Sequence, residues 1–156
     1  MNSMDADGFP VATGDGPART GPARAAEVRV AFEGLLQIRR LTNTGAAAPE
    51  AIPALWERRR IVRAVALALE AAGSTPSAVD GAGQRVATGY RVKETDPGTV
   101  SVEWLGPHGS GAAGQEETEL TACAEALDRL GWDALLYRGR GRHRFVEVRP
   151  PHPPRA

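Results

Sequence analysis

The sequence predicts an α+β fold. We expect an αββαββ-like single layer, with a four-stranded antiparallel sheet of two hairpins, helices packed on one face, and one further helix at the N-terminus. Three observations predict it. Two Ala/Leu-rich stretches, 64–73 and 122–131, carry helical apolar spacing and each ends in glycine (Gly73, Gly131). The first is followed, after a polar loop, by segments in which apolar and polar residues alternate, as in half-buried strands, and the second by a hairpin-like segment, 133–149. Helix then hairpin, twice over, builds a sheet with its helices on one side. The likeness of the two halves is one of patterning and is too slight to indicate duplication.

Residues 1–22 carry Gly, Pro, Asp, Ala and Thr with little periodicity and read as a disordered leader. Residues 23–149 form the single domain. The tail 150–156, Pro-Pro-His-Pro-Pro-Arg-Ala, cannot continue a strand ladder and is expected to be flexible. Within 24–41, Val28, Phe32 and Leu35 suit a helix face, whereas Val28, Val30 and Phe32 also alternate as in a strand. Gly34 weakens both readings; a helix is adopted, either packed alongside the rest or projecting as an interaction arm. The next helix starts near Pro49 and Pro53, repeats Leu55, Val62, Val65, Ala66, Leu69 and Ala72, and closes at Gly73 and Pro76. Arg58, Arg59 and Arg60 point in directions about 100° apart on such a helix. They cannot form one patch and read as a solvated face.

After a polar loop (74–84), residues 89–95 and 100–104 alternate around Asp96-Pro97-Gly98-Thr99. Proline presets φ and glycine accepts a positive φ, so this is a β-hairpin turn. One extra loop residue would set Val92 opposite Trp104 and gather Tyr90, Val92, Val100, Val102 and Trp104 on the face that must be buried. Gly106 to Gly114 reads as a flexible connector. In the third helix, 116–130, Glu116, Glu117 and Glu119 suit the first turn and its macrodipole, and Leu120, Cys123, Ala124, Leu127 and Leu130 form the apolar stripe. Gly131 fits the left-handed position after the helix, with Trp132 folding back onto Leu127 in a Schellman motif. The last hairpin spans 133–149.

The chain has 19 basic and 19 acidic residues, so global charge implies no particular partner. The distribution is uneven. No Lys or Arg lies between Glu94 and Asp128, whereas Arg138, Arg140, Arg142, Arg144 and Arg149 follow with Glu147 the single acid among them. Lys93 is the only lysine, which looks like codon bias in a GC-rich bacterial genome and weakens any claim that arginine was chosen for its fork geometry. A single cysteine permits no intrachain disulfide. There is no apolar run of membrane-spanning length and no secretion signal, so the expected setting is the cytoplasm, without a membrane partner.

Catalytic chemistry finds little support, and no catalytic residue, metal site or cofactor is expected. His108, His143 and His152 have no partners at metal-ligand spacing, Cys123 sits on the apolar stripe, and the 106–114 glycines lack the Lys-Ser/Thr of a phosphate loop. The remaining candidate is Arg138-Gly-Arg140-Gly-Arg142-His143-Arg144 at the tip of the last hairpin, flanked by Tyr137 and Phe145. Arginines on a two-stranded ribbon can reach phosphates or base edges, and an aromatic can stack on unpaired bases, though inward packing is the commoner fate of both rings. The favoured expectation is a non-catalytic accessory protein that binds nucleic acid through Arg138, Arg140, Arg142, His143, Arg144 and Tyr137. An acidic protein could take the place of nucleic acid at that tip, and the alternative function is a protein-interaction or homo-oligomerisation module that uses the N-terminal helix or the sheet face.

Overall fold

A computed structural model describes residues 9–152; residues 1–8 and 153–156, and the side chain of Arg142, lie outside the described part. The helices are α1 (Pro22–Thr42), α2 (Leu55–Arg59), α3 (Ile61–Ala71) and α4 (Ala112–Arg129). The strands are β1 (Ala78–Val79), β2 (Arg85–Ala87), β3 (Gly89–Asp96), β4 (Thr99–Leu105), β5 (Asp133–Arg138) and β6 (Arg144–Arg149). Single 3-10 turns occupy Pro49–Ala51 and Arg140–Arg142. Strands β3 to β6 make one antiparallel sheet in the order β3-β4-β6-β5, while β1, within the expected polar loop, pairs separately with β2, just beyond its end. The αββαββ arrangement is present, with α3 and α4 packed on the sheet and α1 laid against α3. Because the hairpins join through β4 and β6, β3 and β5 are left as the two edges.

Alternation delivers Tyr90, Val92, Val100, Val102, Trp104, Val146 and Val148 to the helix-facing side, where they are buried against Val65, Leu69, Leu120, Cys123 and Leu127. The register of the first hairpin differs from expectation: Val92 pairs with Val102, and Trp104 with Tyr90. The extra residue lies on the β3 side, where the ladder shifts between Glu94 and Asp96, and Asp96 closes on Thr99. The Glu94 carboxylate accepts the Gly98 N–H at 3.2 Å and supports this turn. A two-residue displacement preserves which face each side chain occupies, so burial alone could not distinguish the two registers.

α1 is no free arm. Val28 and Leu35 are buried against Leu67 of α3, and Arg24 and Arg39 are buried beside them. The second helix divides at Arg60, whose φ of −128° and ψ of 57° break the helical path. The bend allows α2 to bury Glu57 under α1 while α3 follows the sheet. α4 begins at Ala112, inside the expected glycine connector, so Glu116 stands in its second turn. Its far end is the expected Schellman motif: Trp132 N–H donates to Leu127 O at 3.1 Å and Gly131 N–H to Asp128 O at 3.0 Å. Gly131 has a φ of 87°, and a Cβ there would run into the carbonyl of Ala51, so both conformation and contact call for glycine.

Part of the presumed leader is hydrogen-bonded into the fold. Thr13 O accepts the Val92 N–H at 2.7 Å, Gly16 O accepts the Val79 N–H at 2.9 Å, and the Arg85 guanidinium binds Gly14 O and the Asp15 carboxylate. The Tyr90 hydroxyl lies between the carbonyls of Ala12 (2.8 Å) and Ala66 (3.1 Å). Together with Thr75 and Ser77, which bond Tyr90's backbone, this segment covers the outer edge of β3.

Candidate nucleic-acid interface

The last hairpin is regular from Asp133–Arg149 through Arg138–Arg144, with every residue of β5 paired. The Gly139 N–H donates to His143 O at 2.7 Å, and Gly141, at a φ of 73°, lets the Arg140–Arg142 turn reverse the chain. The sequence-predicted residues separate into two groups. Arg138, Arg140 and His143 are exposed at the tip, His143 with 80% of its side chain in solvent. Arg144 is instead drawn inward, with 22% of its side chain exposed. Tyr137 is exposed, and its ring stacks on Phe145 with centroids 5.6 Å apart. Inward packing of these two rings is therefore corrected: they pair with each other at the same register as Leu135 and Glu147, on the side away from the helices. The backbone of Arg142 belongs to the turn; its side chain lies outside the described residues.

Arg138 and Arg144 are directly opposed across the ladder, an arrangement that like charges disfavour. The residue that offsets it is Glu116, which sequence reasoning assigned to a dipole-compensating first turn. Glu116 is buried, with only 7% of its side chain exposed. Its Oε1 accepts the Arg144 N–H at 2.8 Å and lies 3.7 Å from Arg144 Nη1, while Oε2 lies 3.8 Å from His143 Nδ1. Glu117 adds an exposed contact to Arg144 Nη2 at 3.6 Å. A buried carboxylate is tolerated because it is bonded and charge-paired. A signal was available in the sequence: Glu116, Leu120, Cys123 and Leu127 share one helical stripe, so a carboxylate there faces the sheet. The tip is thus clamped to α4, with Arg144 spent on the clamp and Arg138 and Arg140 left outward.

Comparison of the chain with models of protein families, with characterised proteins and with solved structures finds no match. The arrangement of this chain's own residues carries the argument. Cys123 is buried, 3.5 Å from Ser74 Oγ, and burial pushes its thiol up, away from the thiolate a nucleophile needs. Among the described residues no three His, Cys, Asp or Glu side chains gather as a cation site, and no helix is long and apolar enough to cross a membrane. A cleft of about 270 Å³ opens where α2 meets α3, lined by Val11, Arg59, Arg60, Ile61, Arg63 and Glu94. The open face of the sheet is mixed. Arg91 pairs with Glu103 on β3–β4, whereas Leu135 and Tyr137 stand exposed on β5. Sequence reasoning overlooked the leucine, although three consecutive apolar residues (135–137) in a strand must place at least one on each face.

Proposed function

We propose that the protein is a small non-catalytic accessory factor that binds nucleic acid through the arginine-tipped β5–β6 hairpin. The observation that supports this reading is the division of labour at the tip. Glu116 and Glu117 hold Arg144, which fixes the hairpin against α4, and Arg138 and Arg140 project from the anchored end. A fixed basic tip suits phosphate contacts, which position a protein without reading sequence. Tyr137, already stacked on Phe145, offers its remaining exposed surface to an unpaired base. With so few arginines engaged, binding is expected to be weak, sequence-independent and salt-sensitive.

Fluorescence anisotropy with mixed-sequence single- and double-stranded DNA and RNA at low salt tests this. The expected result is binding that weakens with salt at a log–log slope of about −1.4 to −1.8, for roughly two neutralised phosphates, at Arg138 and Arg140. The double substitution Arg138→Glu with Arg140→Glu should abolish it. Absence of binding to all four probes at low salt overturns the reading.

A further inference from the structure

We infer that β5 is a self-pairing edge, along which a second copy of this chain docks antiparallel to extend the sheet across a two-fold axis. This inference rests on the β5 edge and not on nucleic-acid binding, although both readings make use of Arg138 and Tyr137. The first support is the unequal treatment of the two sheet edges. Along β3, Thr13, Thr75 and Ser77 take the outward backbone groups of Tyr90 and Val92. Along β5 the described residues place no strand on the outer side, because β5 is last in the order β3-β4-β6-β5. Edge strands are ordinarily blunted by proline, lysine, a bulge or covering chain. Asp133–Arg138 contains neither residue, and its ladder to β6 runs without a shift.

The second support is what this edge displays. Leu135, Leu136 and Tyr137 are 58%, 37% and 42% exposed, three consecutive apolar residues on both faces of one strand. The Gly139 N–H points to β6, so by antiparallel alternation the amides and carbonyls of Ala134, Leu136 and Arg138 point away from it. A two-fold axis through Leu136 sets Leu136 against Leu136 of the other copy and Ala134 against Arg138, which satisfies every one of those outward groups. The same register places Leu135 beside Tyr137 of the other copy on the open face.

The third support is charge order, which selects a second copy over an unrelated strand. β5 reads Asp-Ala-Leu-Leu-Tyr-Arg, acidic at its start and basic at its end. Antiparallel self-pairing brings the basic end of one copy to the start of the other. That region carries exposed Glu125, Asp128 and Asp133 against exposed Arg129 and Arg149, and Arg149 is already paired with Glu147 at 3.0 Å. A parallel pairing would set like on like.

A six-residue edge is a small interface, so association should depend on concentration. Sedimentation equilibrium of the full chain is expected to show a mass rising from 16.5 kDa towards twice that value as concentration increases. Leu136→Pro removes an outward N–H without touching the β5–β6 ladder, and Leu135→Lys charges the open face. Each, with its circular dichroism unchanged, is expected to hold the mass at that of one chain, and where the proline variant does not fold the lysine variant decides. In the wild type, exchange of the Leu136 amide should slow as concentration rises. A wild-type chain that stays monomeric at every soluble concentration overturns the inference, as does a dimer that persists in the folded variants. Leu135→Lys leaves every tip arginine in place, so self-pairing and nucleic-acid binding fail separately.

Discussion

Arg39 shows how much a single side chain can organise. Its guanidinium grips the Glu57 carboxylate with two bonds, of 2.6 and 2.8 Å, and donates to the carbonyls of Glu50 and Leu130 at 2.7 Å each. Leu130 caps α4, so this one cation ties α1 to α2, to the Pro49–Ala51 turn and to the negative end of α4. Glu57 in turn accepts the Ala54 N–H at 3.0 Å, at the start of its own helix. Both side chains are essentially inaccessible, at 1% and 0% exposure. Two desolvated charges are tolerated here because nearly every donor and lone pair is used, but removing one partner strands the other. Arg39→Met should therefore cost about 3–5 kcal/mol in urea denaturation at neutral pH. Arg39→Met combined with Glu57→Leu should recover most of that loss, and a double variant as unstable as the single would refute the account. None of this was readable beforehand. Arg39 stands beside Arg40 at a helix end, and its partners lie up to 91 residues away.

At the scale of elements, α4 and the hairpin after it form one mechanical unit. The Schellman turn at Gly131–Trp132 sets where β5 starts, and Glu116 at the other end of the helix clamps the tip of the same hairpin. The end of α4 was legible because glycine and the apolar contact are local signals. Its beginning was not, because Ala112–Ala113–Gly114 has the composition of a linker and becomes helical only where Trp104 Nε1 bonds Gln115 Oε1 at 3.1 Å and Glu116 meets Arg144. Glu116→Ala should therefore loosen the tip rather than the helix. The Arg144 amide, left without its acceptor, is expected to exchange faster by hydrogen-exchange NMR, with a loss of about 1–3 kcal/mol in global stability. Unchanged protection at Arg144 would show that the clamp does not hold the tip.

Over the whole molecule, Tyr90 is the point where the N-terminal segment, α3 and β3 meet. Burial, reinforced by the charge of Glu70, pushes its hydroxyl far above the ordinary value of 10.0, and burial likewise raises Cys123 above 9.0. Both groups stay neutral in the folded chain at a pH where the unfolded chain ionises them. Their stabilising contribution is therefore intact below the ordinary values and is lost as pH rises beyond them. Stability should decline from about pH 9, with each group adding up to about 1.4 kcal/mol per pH unit to the slope. Tyr90→Phe should cost about 1 kcal/mol at pH 7 and flatten the decline above pH 10 by one proton's worth. Denaturation midpoints followed from pH 7 to 11 check this, and identical slopes in the two proteins would contradict it.

The order of the main helices and of the β3–β4 and β5–β6 hairpins, the buried face of β3 and β4 and the glycine that ends α4 were determined by the sequence alone. Each depends on periodicity or backbone preference within a few residues. Tertiary structure decided what depends on contacts between distant segments. It chose the hairpin register, where two alternatives bury the same side chains, and bent the second helix at Arg60 so that Glu57 could meet Arg39. It drew residues 12–16 onto β3 and the β1–β2 pair, and among the described residues it placed no strand on the outer side of β5. At the candidate site, composition located the arginines, but only the fold separated Arg144, bound to a buried carboxylate, from Arg138 and Arg140 in solvent. The physical reason is that a charge acts according to its neighbours and its burial, and both are properties of the folded chain.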